Sequence, residues 1–342
     1  MISRRNVIIS ISTAMLALAA PAAMAAEPIR VVASFSILGD FVKEVGGDRV
    51  ALTTLVGPDG DAHVFSPSTA DARAVAEAKL VFVNGLGFEG WMDRLVESSG
   101  SKAKLVTVSQ GVEPIASEEE DEEEEGGHAH AGEAGHEHGH DHDHAREAAH
   151  EHEHEEAGHE HGHHHHGGLD PHAWQSVPNA KIYVANIRDA LIAADPAGKA
   201  DYEKNATAYL ARLDALDAEV REAIAALPKE GRTIITSHDA FGYFAKTYGV
   251  EVVAPQGVST EAEPTAKEVA ELIRQIKAEG VKAVFVENIT DPRLIKQIAD
   301  ESAAKLGGAL YSDALSSADG PAGTYIDMMR HNIKTLSAGL SS

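Results

Sequence analysis

The sequence predicts an α/β protein: two parallel-sheet α/β lobes joined by a long rigid helix. Three observations carry this expectation. Short β-rich runs alternate with helical patterns from Ile29 to Ile115, and the same alternation resumes at Thr233. Between them lies a stretch from Val177 to Leu227 with helical periodicity and no strand. Strands and helices alternating at this length imply parallel sheets with helices on both faces.

In the first lobe, residues 29–35 form a β-rich run and 37–45 a helical one. The second strand is expected at 50–56, and a helix at 68–78 with Ser66 or Ser68 near its N-cap. An apolar strand at 80–84, a helix at 90–97 and a strand at 104–108 complete the block. The middle stretch is divided by Pro196 into helices at 178–194 and 197–227. In the second, Tyr202, Ala206, Tyr209, Leu213, Leu216, Val220, Ile224 and Leu227 recur at spacings of three and four. A helix of roughly 30 residues reaches about 45 Å, long enough to link two lobes stiffly. The second lobe reads as strands at 233–237, 251–254, 283–287 and 308–312, with helices at 241–248, 265–279, 292–306 and 323–338. The domain organisation expected is a first lobe over 27–195, a linking helix over 196–227 and a second lobe over 228–342, with a cleft between the lobes as the natural ligand site.

Residues 1–26 are excluded from the fold. Arg4 and Arg5 precede an apolar stretch, and Ala23-Met24-Ala25 is a small-x-small cleavage site, so a secretory signal cut near Ala25 or Ala26 is expected. Ser3-Arg4-Arg5 has a weak likeness to a twin-arginine signal, and the general secretory route is expected ahead of it. The chain has no cysteine, which excludes disulfides, thiolate metal sites and a lipid anchor on an N-terminal cysteine. An exported chain of this kind is expected in the periplasm.

Between 117 and 168 the globular pattern stops, and a disordered loop rich in His, Asp and Glu is expected. Sixteen of the twenty histidines lie there: His128, His130, His136, His138, His140, His142, His144, His150, His152, His154, His159, His161, His163, His164, His165 and His166. Neutral imidazole is the commonest metal ligand near neutral pH and suits zinc, copper, nickel and iron, so the tract offers many weak, overlapping sites. Eighteen carboxylates against Arg146 leave residues 118–166 at −17 of the chain's formal charge of −25, and the rest at −8. No basic face is available for phosphates, which argues against a nucleic-acid partner.

The four remaining histidines are His63, His172, His238 and His331. His63 follows the second strand in Gly57-Pro-Asp-Gly-Asp-Ala-His63, and His238 follows a strand in Thr236-Ser-His238-Asp. Asp313 follows a strand in Tyr311-Ser-Asp313, and His172 stands in Leu169-Asp-Pro-His172 before the first connecting helix. Open α/β folds place ligands at the carboxyl ends of strands. Three imidazoles and one carboxylate make a closed tetrahedral set suited to Zn²⁺. A single histidine in a soluble domain is more often structural than a ligand, and His331, inside the last helix, is given that role; Asp239 reads as a cap or a supporting group. The joint pattern lifts the other three above that expectation.

These residues carry a resemblance. The runs 32–41 (Val-Ala-Ser-Phe-Ser-Ile-Leu-Gly-Asp-Phe), 61–67 (Asp-Ala-His-Val-Phe-Ser-Pro) and 80–91, with 169–174, 236–244, 284–288 and 311–315, resemble the zinc/manganese class of periplasmic solute-binding proteins that feed ABC importers. The resemblance spans nearly the whole mature chain. It implies two α/β lobes, a rigid helix and a metal between the lobes held by His63, His172, His238 and Asp313. It also implies high-affinity zinc capture, an inner-membrane ABC permease as partner, a periplasmic zinc chaperone as a candidate partner, a monomeric state and no catalysis. A His-rich acidic loop before Asp-Pro-His is typical of the zinc members. Manganese members of the class resemble a two-His, two-carboxylate site with Glu in the third position, where this chain has His238; zinc, the transported ligand, is therefore expected. One departure is Ser66, where many relatives carry Glu. Asp61 and Glu287 are candidate acceptors for imidazole N–H groups. The alternatives are a manganese or iron member of the class, a storage protein or adhesin dominated by the tract, and a zinc hydrolase. The hydrolase lacks both a His-Glu-x-x-His motif and an open coordination position.

Overall fold

A computed structural model describes residues 27–117, 168–228 and 232–341. The signal segment with its cleavage site, and the sixteen histidines of the tract, lie outside the described residues.

The first lobe runs β1 (Ile29–Phe35), α1 (Ser36–Gly46), β2 (Val50–Val56), α2 (Thr69–Glu77), β3 (Leu80–Val83), α3 (Met92–Ser99) and β4 (Lys104–Thr107). Its four strands are parallel in the order β2-β1-β3-β4, with Val31 paired to Leu52 on one side and Leu80 on the other. β1 and β3 are apolar and buried because helices cover both of their faces. α2 begins at Ser68, whose hydroxyl and backbone N–H form a reciprocal capping box with Asp71.

Two connecting helices follow, α4 (Val177–Ala194) and α5 (Lys199–Ala225). Pro196 starts a short 3₁₀ turn over Pro196–Gly198, so α5 begins two residues later than its periodicity suggests. The expected stripe from Tyr202 to Ile224 is buried throughout.

The second lobe runs β5 (Thr233–Ile235), α6 (Gly242–Tyr248), β6 (Glu251–Val253), α7 (Ala266–Glu279), β7 (Ala283–Glu287), α8 (Arg293–Ser302), β8 (Lys305–Leu310) and α9 (Tyr325–Leu340). Its parallel order, β6-β5-β7-β8, repeats that of the first lobe. The largest boundary differences from the sequence expectation lie at α8 and β8. α8 stops at Ser302, because Ala303 adopts a left-handed conformation with φ 65°, and β8 starts at Lys305 rather than 308. Leu306 pairs with Val284, and the ladder then skips a residue so that Phe285 faces Gly308. Gly307 lies against the Phe285 ring, where a side chain would collide.

α5 packs on α1 and α4 on one side and on α9 and α6 on the other. One continuous apolar core therefore extends from the first sheet through Tyr209 and Leu213 to Phe244, Tyr325 and Met329. A smaller core under α7 and α8 belongs to the second lobe alone. The carboxyl ends of both sheets open toward each other across the cleft.

Candidate metal centre

Three of the candidate groups sit just past strand ends: His63 after β2, His238 after β5 and Asp313 after β8. His172 is set by the Asp-Pro-His turn ahead of α4. Fold topology brings all four together, with one ligating atom from each lying within 4.8 Å of the others. Nε2 of His63 and Nε2 of His238 each stand 3.1 Å from Asp313 Oδ2. His172 Nε2 is 3.6 Å from the same oxygen and 3.4 Å from His63 Nε2. His172, His238 and Asp313 have no solvent exposure, and His63 closes the outer side of the cluster.

The outward ring nitrogens of two histidines meet carboxylates. Asp170 Oδ1 lies 2.8 Å from His172 Nδ1 and also accepts the backbone N–H of His172 at 2.8 Å. Glu287 Oε2 lies 2.6 Å from His238 Nδ1 in a close but bent contact, while its Oε1 accepts the backbone N–H groups of Ser237 and His238. Such acceptors leave Nε2 as the free lone pair facing inward. Asp61 takes a different part from the imidazole acceptor expected of it. Its Oδ1 accepts the backbone N–H of His63 at 2.9 Å, and its Oδ2 accepts the Thr260 hydroxyl across the cleft at 2.6 Å. Asp61 thus holds the loop on which His63 rides.

Asp170 was missed in the sequence, although Asp-Pro-His carried the signal: a carboxylate two residues before a histidine can reach both its N–H and its ring. Phe88 was missed too; its ring meets His63 edge-on at 4.7 Å. Trp174 meets His172 at 5.3 Å. These apolar rings keep water from the cluster and lower its dielectric. His331 stands away from the cluster, with Nε2 3.0 Å from the Ala309 carbonyl and its ring against Tyr311.

Electrostatics follow from the burial of opposite charges. Burial opposes charging of His172, but Asp313 and Asp170 outweigh it and push the imidazole up to about 9. Burial likewise opposes charging of His238, and Glu287 and Asp313 raise it well above the ordinary range. Burial alone would raise Asp313, yet His172 and His238 hold it well below. Without a cation, the carboxylates favour the charged, protonated forms of His172 and His238. Asp313 Oδ1 is buried and has no hydrogen-bond partner among the described residues. A divalent cation would replace those protons and satisfy the buried carboxylate.

The fold and the site define a class: a two-lobed metal-binding protein with a buried cation site between its lobes. The manganese-binding lipoprotein MntA of Halalkalibacterium halodurans is 32% identical over 315 residues, covering 92% of this chain and 89% of that protein. The iron-binding protein YfeA of Yersinia pestis is 30% identical, covering 96% of this chain and 91% of that protein. Among solved structures, the periplasmic zinc-binding protein TroA from Treponema pallidum superposes with a TM-score of 0.74 at 28% identity, covering 92% of this chain and 99% of that one. The manganese-bound periplasmic metal-binding protein from Candidatus Liberibacter asiaticus gives 0.73 at 28% identity, covering 91% and 99%. The chain belongs to the family described as zinc-uptake complex component A, periplasmic, whose model matches residues 31–339. It is a metal-binding, extracytoplasmic solute-binding component of an ABC importer.

Proposed function

We propose that the protein captures Zn²⁺ with high affinity in the periplasm and delivers it to an ABC permease in the inner membrane. The observation that carries this reading is the donor set: three inward Nε2 atoms and one buried carboxylate, His63, His172, His238 and Asp313. Zn²⁺ accepts four ligands rich in imidazole, whereas Mn²⁺ favours more oxygen and a higher coordination number. Four protein ligands leave no position for a reacting water, which disfavours a hydrolase. Asp170 and Glu287 orient two of the imidazoles, and Asp61 steadies the third through its backbone.

In this reading residues 1–26 are removed on export, and the histidines of 118–166 gather zinc at low affinity near the cleft. The mature protein acts as a monomer and, lacking cysteine, carries no lipid, unlike relatives whose names include lipoprotein. A periplasmic zinc chaperone is a further proposed partner. The shared apolar core through α5 favours small lobe movements over a wide hinge.

A manganese or iron cargo is the second reading, favoured by the names of MntA and YfeA. Equilibrium dialysis of the chain without residues 118–166 against equal zinc and manganese separates the two. Retention of one zinc in large preference to manganese is expected. Equal retention, or a preference for manganese, would move the assignment to the second reading.

A further inference from the structure

Gly242 opens α6 without a backbone reason to be glycine. It is absent from the positive-φ glycines, and alanine is the better helix former by about 1 kcal/mol. What it supplies is space. A Cβ at Gly242 would stand 2.5 Å from Asp170 Oδ2 and 3.7 Å from Asp170 Cγ. The carboxylate cannot swing away freely, because its Oδ1 is engaged with both the backbone and the ring of His172. The next residue holds the chain segment behind it. Ile115 donates its N–H to the Tyr243 hydroxyl at 3.2 Å, and its carbonyl accepts the Asp170 N–H at 2.9 Å. One end of α6, in the second lobe, therefore grips Asp170 of the first lobe from two directions.

We infer that Gly242 and Tyr243 are positioning residues that set the orientation of His172 through Asp170. Gly242 admits the carboxylate, and Tyr243 fixes the depth of the segment that carries it. The inference rests on the proposed role of His172 as a metal ligand. It makes the first-lobe ligand dependent on the docking of a second-lobe helix, so the His172 ring reaches its binding orientation only with the lobes in register.

The test is a double-mutant cycle on the full chain, read as zinc affinity by chelator competition. Gly242→Ala is expected to weaken zinc binding about 10- to 100-fold, the usual effect of disturbing an outer acceptor of a ligating histidine. In an Asp170→Ala background, where the colliding carboxylate is gone, the same substitution is expected to add no further loss. Tyr243→Phe, which keeps the ring and removes only the hydroxyl, should repeat the pattern with a smaller loss, and it keeps the test intact if Gly242→Ala fails to fold. The visible absorption of the cobalt-loaded variants should shift, reporting a turned imidazole rather than a loosened fold. Equal losses in both backgrounds, or no loss in the first, would overturn the inference. Tight zinc binding that survives His172→Ala, measured beside the cycle, would instead bring down the ligand set itself.

Discussion

Protons compete with metal at this site, and the structure fixes how steeply. His172 is held up to about 9 by Asp313 and Asp170 against the cost of burial, and His238 is raised further by Glu287 and Asp313. His172, at about 9, therefore carries its proton in the metal-free protein across pH 6 to 8, and His238 is shifted in the same direction. A cation takes the His172 Nε2 lone pair only by expelling that proton. Each expelled proton changes the logarithm of the binding constant by about one per pH unit below the metal-free pKa. Zinc affinity should thus fall at least about a hundredfold between pH 8 and pH 6, with at least about one proton released per zinc bound. The assay is competition with a chelator whose own protonation is known, at several pH values, with proton release measured by calorimetry in buffers of different ionisation heat. A slope below one, or release of less than one proton, would refute the argument that the carboxylates keep these imidazoles charged.

Other consequences follow from the same geometry. Glu287→Gln keeps the shape but removes the charge beside His238 Nδ1, and a loss of about 10- to 100-fold in zinc affinity is expected in the same competition assay. The His172 pKa is higher in the folded state than in the unfolded chain, so its contribution to metal-free stability is fully present below about 6.5 and is lost as pH rises through about 9, on the order of 3 kcal/mol. Thermal melts of metal-free protein should weaken over that window, and stabilisation by zinc should grow. Leu213→Ala on α5, at a fully buried position of the shared core, should cost roughly 2–5 kcal/mol in denaturant melts of the metal-free protein. Removing residues 118–166 should slow zinc loading from a competing chelator while leaving the site's own affinity nearly unchanged; an unchanged loading rate would sink the gathering role of the tract.

Much of this fold was legible because its signals are local. β1, β2 and β7 fall where their β-rich runs end, and Ser68 and Thr265 start α2 and α7 with capping boxes that stand in the sequence. The end of α8 was not legible. Nothing in Ser302-Ala303-Ala304 announces a left-handed residue, and Leu306 fits a helical pattern as well as the ladder position opposite Val284. Three of the clustered side chains could be nominated because strand ends are recognisable, and His172 because it stands in an Asp-Pro-His turn ahead of a helix. Their supports could not all be, since they depend on tertiary placement. Asp61 turned to a backbone and to Thr260, and Asp170 gained its importance from Gly242 and Tyr243, which are more than 70 residues away in sequence.

The central claim is a single tight zinc site between the lobes, and a chelator-competition titration of two proteins tests it directly: the mature chain and the same chain without 118–166. One tight equivalent of zinc that survives the deletion and vanishes on His238→Ala is the predicted result. Loss of all tight binding with the tract, or tight binding that persists in His238→Ala, would contradict it and move the function toward storage by the histidine-rich segment.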